Sequence, residues 1–268
     1  MPELPEIETI KNSLAGVVGA RITGTDFRRQ DIIKREDFVP GQLDGMAIRS
    51  IGRRGKFLII YLEKGYYLVV HLGMSGRFYL LPAGPKVEAP HVHLVINLDN
   101  GCRLVYQDPR RFGGIRLCHD LQPVFGHMGV EPLSDQFTAR RLAQLCQGRK
   151  VAIKNLLLNQ CLISGIGNIY ADEALFRARV RGTRPAGSLT AEEIKRLHRA
   201  IKKVLRQSIA QQGTTFRDYR DGWNQEGNFQ NFLNVYGKTG QDCPVCGRAI
   251  EKEIIGGRSS HHCAHCQK

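Results

Sequence analysis

No stretch of this sequence approaches the roughly 20 consecutive apolar residues that a bilayer-spanning helix requires. The basic start of a secretory signal is missing too, and so are a lipidation motif and a basic amphipathic helix with a Trp/Phe-rich face. The expectation is an intracellular protein without a membrane partner. Acidic residues are in short supply: 25 Asp and Glu face 39 Lys and Arg, a formal charge of +14. Such a field concentrates phosphate-bearing ligands and gains free energy as their counterions are released, so a polyanion, above all nucleic acid, is the expected partner. No cluster of acidic residues stands out as a ligand set for a catalytic metal, which argues against a metal-dependent nuclease. No internal repeat is present, and 42% hydrophobic content in 268 residues suffices for one large core or two moderate ones.

The pattern divides the chain. Pro2-Glu-Leu-Pro-Glu-Ile-Glu-Thr-Ile puts prolines and acids in a first turn, with Ile7, Ile10 and Leu14 at helical spacing, and predicts a helix beginning almost at residue 2. From about Ala20 to His119 the runs at 57–61, 67–71 and 93–97 read as strands, with turns at Lys64-Gly65, Pro82-Ala-Gly-Pro85 and Asn100-Gly101, and predict a β-sandwich or flattened barrel. Beyond Pro132 the periodicity becomes helical, with Ser134 as an expected cap, an apolar segment from Val151 to Leu158, and a capping box at Thr190 and Glu193. Ser164-Gly-Ile-Gly-Asn168 is either a phosphate-cradling turn or an ordinary helix connection. Residues 222–231 read as a mobile loop. The fold class expected is multi-domain α+β, divided as 1–128, 129–222, a loop and linker over 223–237, and 238–268.

Cys102, Cys118, Cys146 and Cys161 stand singly and are expected to be buried reduced thiols. Cys243-Pro-Val-Cys246 and Cys263-Ala-His-Cys266 have the spacing of a zinc ribbon, in which each pair offers two thiolates to one tetrahedral ion. Four thiolates complete the site, so the ion is structural and His261, His262 and His265 are left solvated or facing phosphate. Between the pairs, Gly256-Gly257-Arg258 at a hairpin tip aims a cation outwards, either at solvent or at a phosphate.

Pro2 follows an initiator methionine that its small size allows to be removed, which would expose a secondary amine. An α-amino group titrates near pH 8, so an appreciable fraction is an unprotonated nucleophile at neutral pH. Attack of that amine on a sugar C1′ with departure of the base gives an iminium ion, an electron sink for elimination.

The whole chain resembles the bacterial formamidopyrimidine-DNA glycosylase family, from Pro-Glu-Leu-Pro-Glu at 2–6 to the last Cys-Gln-Lys at 266–268. The resemblance runs through Arg53-Arg-Gly-Lys56, His71-Leu-Gly-Met-Ser-Gly76, Asp108-Pro-Arg-Arg-Phe-Gly113, Gly165-Ile-Gly-Asn-Ile-Tyr170 and Val235-Tyr-Gly237. It implies an N-terminal helix and β-sandwich, a helix-two-turns-helix domain and a zinc β-hairpin finger. It implies a monomer of the bacterial cytoplasm, associated with the nucleoid, that binds damaged double-stranded DNA and needs one structural zinc but no redox cofactor or catalytic metal. The implied reaction is excision of oxidised purines such as 8-oxoguanine and formamidopyrimidines, followed by β,δ-elimination.

Carried over position by position, Pro2 is the nucleophile, Glu3 the acid/base, Glu6 an orienting group, Lys56 an aid to elimination and Arg258 a ligand of the phosphate beside the lesion. Asn168 shares that phosphate. His71, His91, Arg110, Arg149, Lys150, Lys154 and Tyr236 are candidate backbone contacts, while Met74, Arg110 and Phe112 resemble the set that fills the gap left by an everted nucleotide. The sequence departs from the family at His91-Val-His93, at Ser259, Ser260 and an exposed His262, and over 222–231, the region that in the family closes over the everted base. Leu4 favours the oxidised-purine branch over the endonuclease VIII-like sibling, which prefers oxidised pyrimidines. A non-catalytic damaged-DNA-binding protein would share the charge, the zinc and the helices, but not Pro2, Glu3 and Lys56 together.

Overall fold

A computed structural model describes residues 2–33, 41–84 and 87–268; Met1 and Pro85, on which two of the expectations above fall, lie outside the described residues. The chain divides into two compact units, Met1–Gly126 with Gln211–Gln230, and His127–Ala210 with Asn231–Lys268. The helical region is therefore not followed directly by the finger, because residues 211–230 return to the first unit.

In that unit, helix α1 (Leu4–Ser13) packs Ile7, Ile10 and its C-cap residue Leu14 into the main core, as the spacing of these residues requires. Two antiparallel sheets follow. One is ordered β1-β6-β7-β5 from Ile22–Phe27, Val92–Leu98, Arg103–Gln107 and Arg77–Leu81. The other is ordered β2-β3-β4-β8 from Ile48–Arg54, Phe57–Leu62, Tyr67–His71 and Gly114–Cys118. The shared core holds Leu58, Ile60, Leu68 and Val70 of the second sheet beside Phe78, Leu94, Ile96 and Tyr106 of the first, which makes the unit a β-sandwich. A short helix α2 (Gln122–Phe125) ends it.

The second unit contains α3 (Ala139–Cys146), α4 (Ile153–Leu158), α5 (Asn168–Ala178) and α6 (Ala191–Ala210), then a hairpin of β9 (Glu251–Ile255) and β10 (Arg258–His262). The cap of α3 is Thr138, whose hydroxyl accepts from Arg141 N at 3.0 Å, and not Ser134, whose hydroxyl donates to the Glu131 carbonyl at 2.9 Å within a preceding turn. The capping box of α6 forms in both directions: Thr190 N donates to Glu193 at 2.8 Å and Glu193 N to Thr190 Oγ1 at 3.3 Å. Between α4 and α5 the chain makes two turns, held by Gln160, which donates to the Ile166 carbonyl and accepts from Gly165 N, both at 2.8 Å. Of the single cysteines, Cys146 is buried, whereas Cys161 is exposed and corrects the expectation that all four are buried.

Candidate active site and nucleic-acid interface

In the first unit the start of α1 is held from both sides. Glu3 is its N-cap, and Glu6 closes a capping box by accepting Glu3 N at 2.8 Å. The other oxygen of Glu6 accepts Thr214 N at 2.8 Å, so one buried carboxylate ties residue 3 to a turn two hundred residues away in sequence. Gly213, at φ +82°, is where that turn passes Glu6, and a Cβ there would stand 3.0 Å from the carboxylate. Tyr219 lies alongside, donating to the Gln212 carbonyl at 3.0 Å; burial first, then the Glu6 charge, push its phenol well above the usual range. Pro2, Glu3 and Glu6 are all buried, so the N-terminal segment is fixed in position and not a frayed end.

Lys56 sits in the two-residue turn between β2 and β3 and is 8% exposed. Gly55, at φ +55°, allows the chain to reverse there. His71 ends β4, with its ring centroid 4.7 Å from that of Phe57, and His91 is exposed at φ +63°.

Met74 and Phe112 project from two loops in backbone contact, since a Cβ on Gly73 would strike the Phe112–Gly113 peptide. The fastening is the fully buried Asp108 carboxylate, which accepts from Ser75 Oγ at 2.6 Å, Gly113 N at 2.9 Å, and Arg110 N and Tyr106 OH at 3.3 Å. Burial, followed by the charge of Asp108, drives the Tyr106 phenol well above its usual range, so it remains a donor. On this base Met74 is 41% and Phe112 61% exposed, with the Arg110 guanidinium 5.4 Å from the Phe112 ring centre. An apolar pair and a cation held out on loops fastened to one buried carboxylate suit insertion into a base stack.

In the second unit, Arg258 is exposed at the end of a hairpin whose turn residues, Gly256 and Gly257, have φ of +57° and +77°. The tip rests on α4, because a Cβ on Gly256 would overlap the Asn155 amide. Asn168 at the start of α5 donates to the Ser259 carbonyl at 2.9 Å, one residue from Arg258. Its Oδ1 is buried without a hydrogen-bond partner among the described residues.

Lys154 corrects the sequence reading. Expected at the DNA backbone, it is 0% exposed, with its ammonium 2.6 Å from the equally buried Asp172 and 2.7 Å from the Ser259 carbonyl. It therefore positions the finger tip from within and presents nothing to solvent. Asp172 also accepts His261 N at 2.9 Å and lies 3.2 Å from Ser260 Oγ and from His261 Nδ1. Arg149 and Lys150 are exposed, as candidate phosphate contacts must be. Tyr236 is partly buried, its backbone N–H donating to Glu173 at 3.0 Å; that one carboxylate also collects the N–H groups of Asn234 and Val235.

The four cysteine sulfurs of Cys243, Cys246, Cys263 and Cys266 lie within 4.8 Å of one another. A tetrahedron with Zn–S near 2.3 Å has sulfurs about 3.8 Å apart, and the Cys243–Cys266 separation is 3.9 Å. Each pair is bent by a backbone hydrogen bond, Gly247 N to the Cys243 carbonyl at 2.9 Å and Gln267 N to the Cys263 carbonyl at 3.0 Å. The donor set fits one structural zinc ion. The histidines do not stand where the sequence reading put them. His261 is buried on Asp172, and His262 is 2% exposed between Glu251 and Glu253; only His265 faces solvent. Burial, then the Arg181 charge, hold the His262 ring below the usual imidazole range.

Sequence reasoning missed the buried carboxylates that organise these surfaces, Asp172 and Glu173, and the turn of Thr214 and Tyr219. It also gave loop 222–231 no internal order, yet Asp221 accepts Trp223 N at 2.9 Å and Gln225 N at 2.8 Å, and Gly227 N donates to Thr215 Oγ1 at 2.9 Å.

Three family models match in series: the formamidopyrimidine-DNA glycosylase N-terminal domain over residues 1–115, its H2TH domain over 128–220, and a zinc finger found in FPG and IleRS over 240–268. The formamidopyrimidine-DNA glycosylase of Syntrophomonas wolfei is 54% identical over 268 residues, all of both chains. The crystal structure of the MutM (FPG) protein of Thermus thermophilus is 40% identical with a TM-score of 0.88, covering 99% of this chain and 98% of that one. The Lactococcus lactis Fpg, solved in complex with DNA containing an abasic site, is 33% identical with a TM-score of 0.91 over 99% of both chains.

Proposed function

Since the chain belongs to the formamidopyrimidine-DNA glycosylase family and is a DNA glycosylase and abasic-site lyase of base excision repair, we propose that Pro2 is its nucleophile and oxidised purines in duplex DNA its substrates. The observation that carries this is the doubly anchored start of α1, where Glu6 fixes Glu3 on one oxygen and Thr214 on the other. An amine attached to such an anchor pays little further ordering entropy on reaching the sugar.

With Met1 removed, the Pro2 nitrogen forms a bond to C1′ of the everted nucleotide, and the C1′–base bond breaks with its electron pair leaving on the base. Glu3, adjacent in the chain, takes the proton that the attacking amine sheds and delivers it to the ring oxygen O4′, so the C1′–O4′ bond breaks and the opened sugar is held as an iminium ion. Loss of the C2′ proton then expels the 3′ phosphate, and a second elimination expels the 5′ phosphate, so the gap carries phosphate at both ends. Lys56 assists these proton transfers, and Arg258 with Asn168 holds the phosphate flanking the lesion. Met74, Arg110 and Phe112 fill the vacated stack, while His71, His91, Arg149, Lys150 and Tyr236 contact the backbone. The zinc holds the hairpin that presents Arg258 and takes no part in the chemistry. On the same reading the protein works as a monomer on the nucleoid of the bacterial cytoplasm, and the +14 charge favours that association.

Strand cleavage tests the substrate class. Duplexes with 8-oxoguanine opposite C should be cut faster than those with thymine glycol, and Glu3→Gln should bind the first without cutting it. Preference for thymine glycol would transfer the protein to the pyrimidine-specific sibling activity.

A further inference from the structure

At the C-terminal end of α5, where the zinc knuckle meets α6, the second unit contains a cavity of about 650 Å³ that none of the roles above employs. Arg177, Arg179 and Arg196 line it together with Lys268, Cys246 and Cys266. Glu193 is the one carboxylate side chain in its wall among the described residues, and the Arg184 guanidinium already grips it at 3.0 Å. Its lining thus carries four cationic side chains against one carboxylate side chain, beside two of the zinc-ligand cysteines.

Arg179 draws attention by its backbone. It ends α5 at φ +59° and ψ +37°, a left-handed position that glycine or asparagine ordinarily fills. Strained backbone kept at a pocket wall is a mark of function, and this side chain makes no ion pair or hydrogen bond among the described residues. Arg177 gives one contact to Gln207 at 2.8 Å, and Arg196 gives one to the Ala178 carbonyl at 3.2 Å. Each guanidinium carries five donors, so most remain available. Three forks on one concave wall suit the oxygens of phosphate groups, which they can bind in bidentate fashion. Asn168 starts the helix that Arg179 caps, and eleven residues of rise separate them by roughly 16 Å. The cavity is therefore distinct from the phosphate grip at Asn168 and Arg258.

We propose that this cavity is a second phosphate-binding site. Its ligand is an oligophosphate, supplied either by a free nucleotide or by a nucleic-acid segment other than the one held at the lesion. The competing role for the arginines is as counter-charges to the zinc tetrathiolate, which carries two net negative charges.

The experiment uses zinc-loaded full-length protein saturated with a duplex bearing a stable abasic-site analogue, which occupies the lesion-binding face. Calorimetric titration with inorganic pyrophosphate should show one saturable site, weakened at least tenfold in Arg179→Ala/Arg196→Ala. A second, differently labelled duplex then distinguishes the sources: its recruitment by wild type but not by the double variant identifies a nucleic-acid segment. Pyrophosphate binding without recruitment identifies a free nucleotide phosphate. The proposal is overturned if the saturated complex binds no pyrophosphate. It is equally overturned if the double variant binds it as wild type does while losing zinc faster to a chelator, which would make the arginines counter-charges only.

Discussion

Replacing Lys154 by methionine separates two accounts of that residue by different observables. In the structure its ammonium is fully buried against Asp172. Removing one partner of a buried ion pair costs about 3–5 kcal/mol, because the other charge stays desolvated. Asp172 would keep the His261 N–H at 2.9 Å and has Ser260 Oγ at 3.2 Å, which puts Lys154→Met near the lower bound, about 3 kcal/mol. Asp172→Asn takes the counter-charge from the ammonium and falls near the upper bound, about 5 kcal/mol. For a unit of this size, intermediate between small and mid-sized domains, about 3 kcal/mol lowers the melting temperature of the zinc-loaded protein by roughly 10–15 °C. A surface phosphate contact would behave otherwise: Lys154→Met would leave Tm alone and reduce the slope of log affinity against log salt by about 0.9. Thermal unfolding together with duplex binding at several salt concentrations decides between them. An unchanged Tm with a shallower slope would refute the buried-pair reasoning.

Phe112→Ala and Met74→Ala remove exposed side chains and should change stability by no more than about 0.5 kcal/mol, yet slow lesion excision at least tenfold, as single-turnover rates and melting curves together would show. For Glu193, the hydrogen bond from Arg184 is the main cause of a carboxyl pKa lowered to about 2. Its folded value lies below the unfolded value of about 4.3, so the stabilisation is present above pH 4.3 and is lost as pH falls toward 2. Glu193→Gln should accordingly cost about 1 kcal/mol at pH 7 and only a small fraction of that at pH 2, where the carboxyl is half protonated in the fold, in urea unfolding. Cys246→Ser or strong chelation should release zinc, unfold the β9–β10 hairpin and abolish strand cleavage, while the melting transition of the β-sandwich unit stays where it was.

What the sequence revealed was what neighbours in sequence can encode. The prolines and acids ahead of Ile7 and Ile10 announce α1, and Thr190 with Glu193 announces α6, because partners three residues apart leave a local signature. The same holds for the two Cys-x-x-Cys pairs. Ser134 misled because the same residue types also stabilise isolated turns; the hydroxyl that accepts a helix N–H, that of Thr138 from Arg141, marks the true cap. Lys154, His261 and His262 were read as outward-facing because charge usually is. Their burial depends on Asp172, Glu251 and Glu253, and the Lys154–Asp172 pair spans 18 positions with no fixed spacing. The Glu6–Thr214 contact, across 208 positions, was equally invisible. Resemblance supplied roles for Met74, Arg110 and Phe112, but the reason they stand exposed is Asp108.

The central claim is a covalent bond from the Pro2 nitrogen to the sugar. Borohydride reduction during turnover of an 8-oxoguanine duplex, followed by peptide mapping, should give one DNA adduct on Pro2 of a chain that begins at that residue. The adduct should disappear in Glu3→Gln protein that still binds. An adduct on a lysine, or full cleavage activity by protein that retains Met1, would contradict the account.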